Sequence, residues 1–266
     1  MNDGHRTLAG KVALVTGSTG GVGEGVARAL AAQGADIMLN GFGPAADIEA
    51  LRAGLAEEHS VRVHYDGADL VRPAEVRRLV EKTIAEFGRL DILVNNAGIQ
   101  HTAPIEEFPD ERWDAVIALN LSAVFHATKA ALPQMKARDW GRIINIASAH
   151  GLVASVNKAA YIAAKHGVVG LTKVTALETA RTRVTCNAIC PGWVLTPLVQ
   201  KQIDAIAASG GLSAEDARIK LLAEKMPSVE FVTPGDIGAL TVFLCSNAAA
   251  QFRGAALPID GGWTAQ

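Results

Sequence analysis

The stretch TGSTGGVG, residues 16–23, decides the fold predicted for this chain. It follows an apolar, β-branched run at 11–16 and precedes a segment with helical spacing at 22–33. Glycines at a strand-to-helix turn let the backbone approach a pyrophosphate, which the helix N-terminus attracts. The spacing is TGxxxGxG rather than GxGxxG. The position between a strand and a helix, and not the glycines alone, therefore indicates a dinucleotide site.

Strand-like and helix-like segments alternate on both sides of this turn. Strands are predicted at 11–16, 35–40, 61–65, 91–95, 142–146, 184–189 and 256–259. Helices are predicted at 22–33, 45–58, 73–87, in two stretches within 111–138, and at 161–178 and 234–244. Such alternation predicts an α/β fold: a Rossmann-type, doubly wound parallel sheet of about seven strands with helices on both faces.

The alternation of strands and helices also indicates the domain organisation. The sequence shows no internal repeat, low-complexity tract or interdomain linker, so residues 1–266 are predicted to form one catalytic domain. The connection at 195–232 is too long for a plain loop. It carries helical pieces at 200–208 and 214–225, joined through 209–211. We interpret it as a lid over the active site.

Composition excludes several classes of protein. The chain is 49% hydrophobic and 20% charged, with a formal net charge of −2. That balance does not favour binding to nucleic acid or to an anionic membrane. No run of about 18 uncharged apolar residues predicts a spanning helix, and residues 1–11 lack the apolar core of a signal peptide.

The three cysteines are Cys186, Cys190 and Cys245. An odd count without a CxxC motif fits a reducing compartment, so we expect a cytoplasmic protein. Cys186 and Cys190 are metal ligands in one interpretation. Small, buried apolar side chains are the interpretation we favour.

The sequence around the turn also bears on the choice of cofactor. The second strand ends at Asn40, where an acidic residue usually binds the ribose hydroxyls. No Arg or Lys stands at Thr19 or near Asn40 to meet a 2′-phosphate, which favours NAD over NADP. Asp69 and Leu70 follow the third strand and are expected near the adenine, although Asp69 is equally explained as a turn residue.

Four polar residues suggest acid–base chemistry. Tyr161 and Lys165 are four residues apart on a predicted helix and share a face. A phenol has a pKa near 10, so it serves as a base near neutral pH only if its anion is stabilised, as an ammonium on the same face does. Ser148 follows the fifth strand, at the sheet edge where ligands bind. Asn120 lies in an apolar helix, where a polar amide needs a reason.

These features occur in a fixed order along the chain. The order is the glycine turn at 16–23, NNAG at 95–98, Asn120, Ser148, the Tyr161–Lys165 pair and Pro191-Gly192. In this set the chain resembles the short-chain dehydrogenase/reductase family over essentially its whole length. The resemblance implies an NAD-dependent oxidoreductase and a homotetramer.

The resemblance also implies residue roles. Asn120, Ser148, Tyr161 and Lys165 would form a catalytic tetrad, in which Lys165 also binds the nicotinamide ribose, Asn120 holds a water, and Tyr161 is the acid/base. The expected cofactor contacts are Gly17, Thr19, Gly21, Val22, Gly23, Phe42, Asp69, Leu70, Asn96, Ala97, Gly98, Tyr161, Lys165, Pro191, Gly192, Val194 and Thr196, the last touching the nicotinamide amide.

Three segments, 95–109, 144–167 and 190–203, are similar to those of bacterial family members that oxidise (R)-3-hydroxybutyrate to acetoacetate. Polar donors in them would converge near the reactive carbon and suit a carboxylate. They are Gln100, His150, Lys158 and Gln202, with Ser148 and Tyr161 at the substrate oxygen. Trp193 would supply an apolar wall for a methyl group.

Plainer interpretations remain for each substrate residue. Lys158 could be solvated, His150 a loop residue, Gln100 and Gln202 surface residues, and Trp193 part of the core. The function also has alternatives: a reductase of a 3-oxoacyl thioester or sugar acid, or a non-catalytic nucleotide-binding protein. No metal ligands are predicted, except that the terminal carboxylate of Gln266 could bind a divalent ion.

Overall fold

A computed structural model describes residues 6–265 of the chain. Within them, seven parallel strands form one sheet in the order β3-β2-β1-β4-β5-β6-β7. The strands are β1 Val12–Val15, β2 Asp36–Asn40, β3 Val63–Asp66, β4 Ile92–Asn95, β5 Gly141–Ile146, β6 Val184–Pro191 and β7 Ala256–Ile259. The helices are α1 Gly21–Ala32, α2 Ala45–His59, α3 Pro73–Phe87, α4 Asp110–Ile117, α5 Ala123–Ala137, α6 Ala159–Glu178, α7 Pro197–Gly210, α8 Ala214–Ala223 and α9 Pro234–Cys245.

Helices cover both faces of the sheet because both faces of its strands are apolar. Ala13 and Val15 of β1 belong to a core shared with α1 and α9. Val12 and Leu14 belong to a second core, shared with α3 and α5. Alternate residues of a strand point to opposite faces, so a continuous apolar run is buried twice. The predicted doubly wound fold is confirmed.

Strand order reverses between β1 and β4, which are neighbours in the middle of the sheet. Ligands of doubly wound folds bind outside the carboxyl ends of the strands at this switch point. The glycine turn follows β1 and the NNAG turn follows β4. The fold therefore brings these two turns together.

Several element boundaries differ from the predicted ones. The two helical stretches within 111–138 are joined without a break by a π-helical turn, Ala118–Ser122. Strand β6 runs to Pro191 rather than residue 189, because β7 pairs with its last residues. Helix α7 begins at Pro197 rather than residue 200, since the Thr196 side chain caps it by accepting from Val199 N.

Length and composition alone would let the continuous helix Asp110–Ala137 cross a membrane, a weak indication that core helices also give. The sequence analysis predicted no spanning helix, because it searched for runs of uncharged apolar residues and did not anticipate one continuous helix here. Buried residues of its α5 part, among them Ala127 and Met135, contribute to the second core. Cys186 and Cys190 are buried, as predicted, and so is Cys245; all three cysteines are free.

Candidate active site

A cavity of about 510 Å³ opens at the carboxyl edge of the sheet. The predicted site residues that line it are Val22, Asn96, Gly98, Gln100, Ser148, His150, Lys158, Tyr161, Lys165, Pro191, Gly192, Trp193, Val194, Thr196 and Gln202. Predicted residues outside its lining are Gly17, Thr19, Gly21, Gly23, Phe42, Asp69, Leu70, Ala97 and Asn120. Residues that the sequence analysis missed are Ile99, Ile146, Ala147, Val199 and Trp263.

The glycine turn and the NNAG turn are fastened to each other. Asn96 Nδ2 donates to Thr16 O and Gly17 O at 2.9 and 3.0 Å. A Cβ at Gly23 would collide with Gly17 O and Asn96 Nδ2, and one at Gly17 would lie 2.9 Å from Ala97 Cα. Gly17 also has φ +61°. Only glycine fits at these two positions, so the backbone there can approach a ligand without an intervening side chain.

Asn40, the residue at the usual acidic position, is fully engaged in structure. It is 1% exposed, and its Nδ2 donates to Asp66 O and Ala68 O at 3.0 and 3.1 Å. Gly17 N donates to its Oδ1 at 3.4 Å. The amide therefore ties β2 to β3 and to the glycine turn instead of facing a ribose.

Thr19 and Phe42 close the end of β2. Thr19 Oγ1 donates to Phe42 O at 2.9 Å, and the Phe42 side chain is exposed.

Asp69 forms two hydrogen bonds near the start of α3. Its Oδ1 accepts from Val71 N at 3.1 Å, and its backbone N donates to Glu75 Oε2 at 2.8 Å. These bonds are those of a turn residue ahead of α3, the plainer of its two interpretations.

Ser148, Tyr161 and Lys165 meet where β5 ends and α6 passes. Burial raises the pKa of Tyr161, and the neighbouring Ser148 side chain opposes that shift. Lys165 Nζ donates to Ile146 O at 2.8 Å and lies 5.5 Å from the Tyr161 ring centroid. Burial lowers the pKa of Lys165 to about 8. The site thus places two hydroxyl groups, those of Ser148 and Tyr161, beside the ammonium group of Lys165.

Asn120 lies in the π turn, which interrupts the helix at the level of the site. The side chain is buried, and it exchanges two hydrogen bonds with the backbone of Ile99. π turns inside helices occur frequently at functional sites. The sequence signal was a lone amide in an apolar helix. The π turn itself left no signal.

The expected anion-binding residues, Gln100, His150, Lys158 and Gln202, all line the cavity. His150 Nε2 lies 2.9 Å from Ser155 Oγ, and burial, together with Lys158, lowers the pKa of His150 to about 4. Burial also lowers the pKa of Lys158, with Lys225 adding to this and Glu224 opposing it. Near neutral pH, His150 is therefore uncharged.

Trp263 is the main residue that sequence reasoning missed. Its ring stacks on Trp193 at a centroid distance of 6.2 Å and meets His150 edge-to-face at 4.9 Å. It is 7% exposed and lines the cavity. A tryptophan three residues before Gln266 lies in no local sequence pattern that could have placed it here.

Among residues 6–265 no group of three or more His, Cys, Asp or Glu side chains could hold a metal ion. The expectation about Gln266 lies outside the described residues.

Comparison with known proteins places this site in a family. A family model described as short chain dehydrogenase matches residues 11–207. The chain is 61% identical, over 97% of its length, to the whole of a D-beta-hydroxybutyrate dehydrogenase from Cupriavidus necator. It is 48% identical, over 96% of its length, to 99% of a protein of the same name from Rhizobium meliloti.

A solved structure agrees with these sequence matches. A variant of actinorhodin polyketide ketoreductase with NADPH superposes with a TM-score of 0.88 at 36% identity, covering 96% of this chain and 98% of that one. The resemblance inferred from the motifs is confirmed, and the chain belongs to the short-chain dehydrogenase family.

Proposed function

We propose that this chain catalyses the reversible oxidation of (R)-3-hydroxybutyrate by NAD⁺, giving acetoacetate, NADH and a proton. The observation that carries the proposal is the cavity lined both by the Ser148–Tyr161–Lys165 cluster and by Gln100, His150, Lys158 and Gln202. The names of the relatives from Cupriavidus necator and Rhizobium meliloti support the same reaction.

Proton transfer falls to Tyr161 in this proposal. Its phenol is half-buried at the cavity, which Ser148 also lines, so the two oxygens can hold the substrate oxygen between them. Tyr161 takes the hydroxyl proton in oxidation and returns it in reduction. Lys165 stabilises the phenolate through its charge. Asn120 acts from behind, by holding the loop at Ile99 and a water of the proton relay.

The glycine turn suits the pyrophosphate of NAD. Gly17 and Gly23 have no room for side chains. The N-cap Gly20 has no side chain to occupy the first N–H groups of α1, which leaves them for a phosphate. NAD supplies the hydride acceptor when bound. The choice of NAD over NADP rests on Thr19, whose hydroxyl binds Phe42 O and offers no cation to a 2′-phosphate.

The substrate carboxylate is assigned to Lys158 with Gln100, His150 and Gln202. One full charge and several neutral donors suit a small monocarboxylate. Trp193 and Trp263 supply the apolar side of the cavity for the methyl end.

The direct test mixes purified protein, NAD⁺ and (R)-3-hydroxybutyrate and follows NADH absorbance. The (S) enantiomer is the matched control, and we expect it to be inactive. Faster turnover of a 3-oxoacyl thioester or a sugar acid would move the assignment to another reductase of this fold. Nucleotide binding without turnover of any of these substrates would indicate a non-catalytic binding protein.

We further propose that residues 1–266 act as one catalytic domain whose segment 195–232, with α7 and α8, closes over bound ligands. Gln202 and Thr196 lie on this segment and line the cavity, so closure would complete the anion site and exclude water. Hydrogen exchange in 195–232 should slow when NAD⁺ and acetoacetate are added together. Equal exchange with and without ligands would contradict a lid.

A cytoplasmic homotetramer completes the proposal. Its support is three unpaired, buried cysteines and exposed aromatic side chains on two surfaces. Trp113 and Phe125 lie on α4 and α5, while Phe243 and Phe252 form an edge-to-face pair 5.5 Å apart. Light scattering of the purified protein measures the assembly.

A further inference from the structure

The ammonium of Lys158 lies over the ring of Trp193, with Nζ 5.1 Å from the centroid. Among the described residues, no carboxylate forms an ion pair with Lys158. The side chain is half-buried at the cavity wall. Its charge is therefore partly removed from water; Glu224 is near enough to favour the charge but forms no ion pair with it, and the indole face is the directed contact of the ammonium.

Both backbone groups of Trp193 are hydrogen-bonded. Trp193 N donates to Met226 Sδ at 3.2 Å, and Trp193 O accepts from Val232 N at 2.9 Å. The indole packs against buried clusters on one side of the cavity and stacks on Trp263. By contrast, Lys158 is a long, flexible side chain at the N-cap position of α6. The packed indole of Trp193 therefore sets the position of the flexible Lys158 side chain.

We propose that Trp193 is a positioning residue for Lys158: its indole face holds the ammonium toward the cavity by a cation–π contact and leaves its full charge for the substrate carboxylate. This inference rests on the proposed function. A protein carboxylate would hold the lysine equally well, but it would compete with the substrate for the charge. An aromatic face stabilises a cation without neutralising it.

The indole N–H does not explain why a tryptophan is present. Nε1 of Trp193 is buried and has no hydrogen-bond partner among the described residues. An unpaired buried donor is unfavourable. Replacement by phenylalanine removes that donor and keeps an aromatic face, whereas leucine removes the face as well. The pair Trp193→Phe and Trp193→Leu therefore separates the proposed role from simple filling of space.

The experiment is a double-mutant cycle on kcat/KM for 3-hydroxybutyrate. Trp193→Leu should lower kcat/KM about 5- to 30-fold, the effect of losing one partly buried cation–π contact. Trp193→Phe should retain most of the wild-type value, and KM for NAD⁺ should stay unchanged in both. In a Lys158→Ala background, Trp193→Leu should cause a smaller loss, because the part of its effect that acts through the lysine is already gone and only its contact with the methyl end remains.

Losses that add in the double variant would overturn the proposal and leave Trp193 as a wall that touches the substrate directly. A Trp193→Phe variant as poor as Trp193→Leu would overturn it too. Trp140→Leu, which removes another half-buried tryptophan under two cations away from the cavity, controls for general loss of packing, with unfolding temperatures measured for all variants.

Calorimetric binding of propionate, a simple carboxylate, separates this inference from the proposed function. The same cycle can be measured on the propionate affinity even if wild type proves inactive on 3-hydroxybutyrate. Equal propionate affinity in wild type, Trp193→Leu and Lys158→Ala would show that no anion site exists here and would overturn the inference.

Discussion

The side-chain amide of Asn120 exchanges two hydrogen bonds with the backbone of Ile99: Oδ1 accepts from Ile99 N and Nδ2 donates to Ile99 O, both at 2.9 Å. This reciprocal pair joins the π turn to the segment that carries Gly98 and Gln100. Both of these residues line the cavity. Asn120 therefore shapes the cavity from behind its wall.

Asn120→Asp tests that relationship with almost no change of shape. One carboxylate oxygen still accepts from Ile99 N, while the other now faces Ile99 O, so a buried pair of acceptors replaces a hydrogen bond. We expect a loss of about 1–3 kcal/mol in unfolding free energy and a fall in kcat. Chemical denaturation and steady-state assays measure the two effects. The exposed Asn247, changed to Asp, is the control, and equal stabilities of the two variants would contradict the argument.

Tyr161→Phe should remove about 10²–10⁴-fold of kcat, the usual contribution of a general acid–base group. NAD⁺ affinity should persist, because the phenol acts on the substrate proton and not on the dinucleotide. The chain has two tyrosines, and Tyr65 provides the control. Its hydroxyl donates to Gly41 O at 2.8 Å, so Tyr65→Phe can alter KM for NAD⁺ but not proton transfer. A Tyr161→Phe enzyme that kept more than about a tenth of kcat would require another base.

Gly41 tests how the end of β2 meets the cofactor. It has φ +152°, and a Cβ there would collide with Thr19 Oγ1. Gly41→Ala must therefore move this loop, and strain on the order of 1–3 kcal/mol corresponds to an increase of about 5- to 150-fold in KM for NAD⁺. Gly43→Ala, with φ +159° but only Ile48 near the new Cβ, should have a smaller effect.

The same kinetics measure cofactor choice. Wild type should give a higher kcat/KM with NAD⁺ than with NADP⁺, because Thr19 offers no charge to a 2′-phosphate. If the ratio of kcat/KM with NAD⁺ to kcat/KM with NADP⁺ were one or less, the cofactor assignment would be wrong, although the fold would stand.

Local patterns in the sequence were enough to predict the sheet, its helices and most of the cavity lining. The glycine turn, the NNAG turn and the Tyr161–Lys165 spacing each act within a few residues, so periodicity and turn chemistry reveal them. Trp263 was missed because only the tertiary fold brings it to His150. The engagement of Asn40 with β3 was missed for the same reason: its partners Asp66 and Ala68 are far away in sequence.

Lys165 makes stability depend on pH. Burial lowers its pKa from 10.5 to about 8, so between these values the unfolded state binds more protons than the folded state. Stability from this group is therefore absent below about pH 8 and grows as pH rises toward 10.5. Wild type should gain about 2 kcal/mol relative to Lys165→Met between about pH 7 and about pH 9.5. Urea denaturation at both pH values checks this, and parallel pH profiles for the two proteins would contradict it.

Lys158→Ala is the sharpest test of the substrate assignment. Lys158 brings a full charge to the cavity, and hydrogen bonds to charged groups are worth roughly 1.5–3 kcal/mol. Because the same contact would hold the reacting carbon in place, its loss should lower kcat/KM for 3-hydroxybutyrate by about 10- to 100-fold or more. NAD⁺ affinity should stay the same, since the glycine turn holds the cofactor. Lys173→Ala changes an exposed lysine on the same helix α6 and should leave kcat/KM and NAD⁺ affinity unchanged.

The methyl ester of 3-hydroxybutyrate should be a poor substrate of wild type, and its kcat/KM should fall little further in Lys158→Ala. If acid and ester suffered equally, the lysine would be structural. If the ester or a thioester outperformed the free acid in wild type, the substrate assignment would fail while the family and the fold remained.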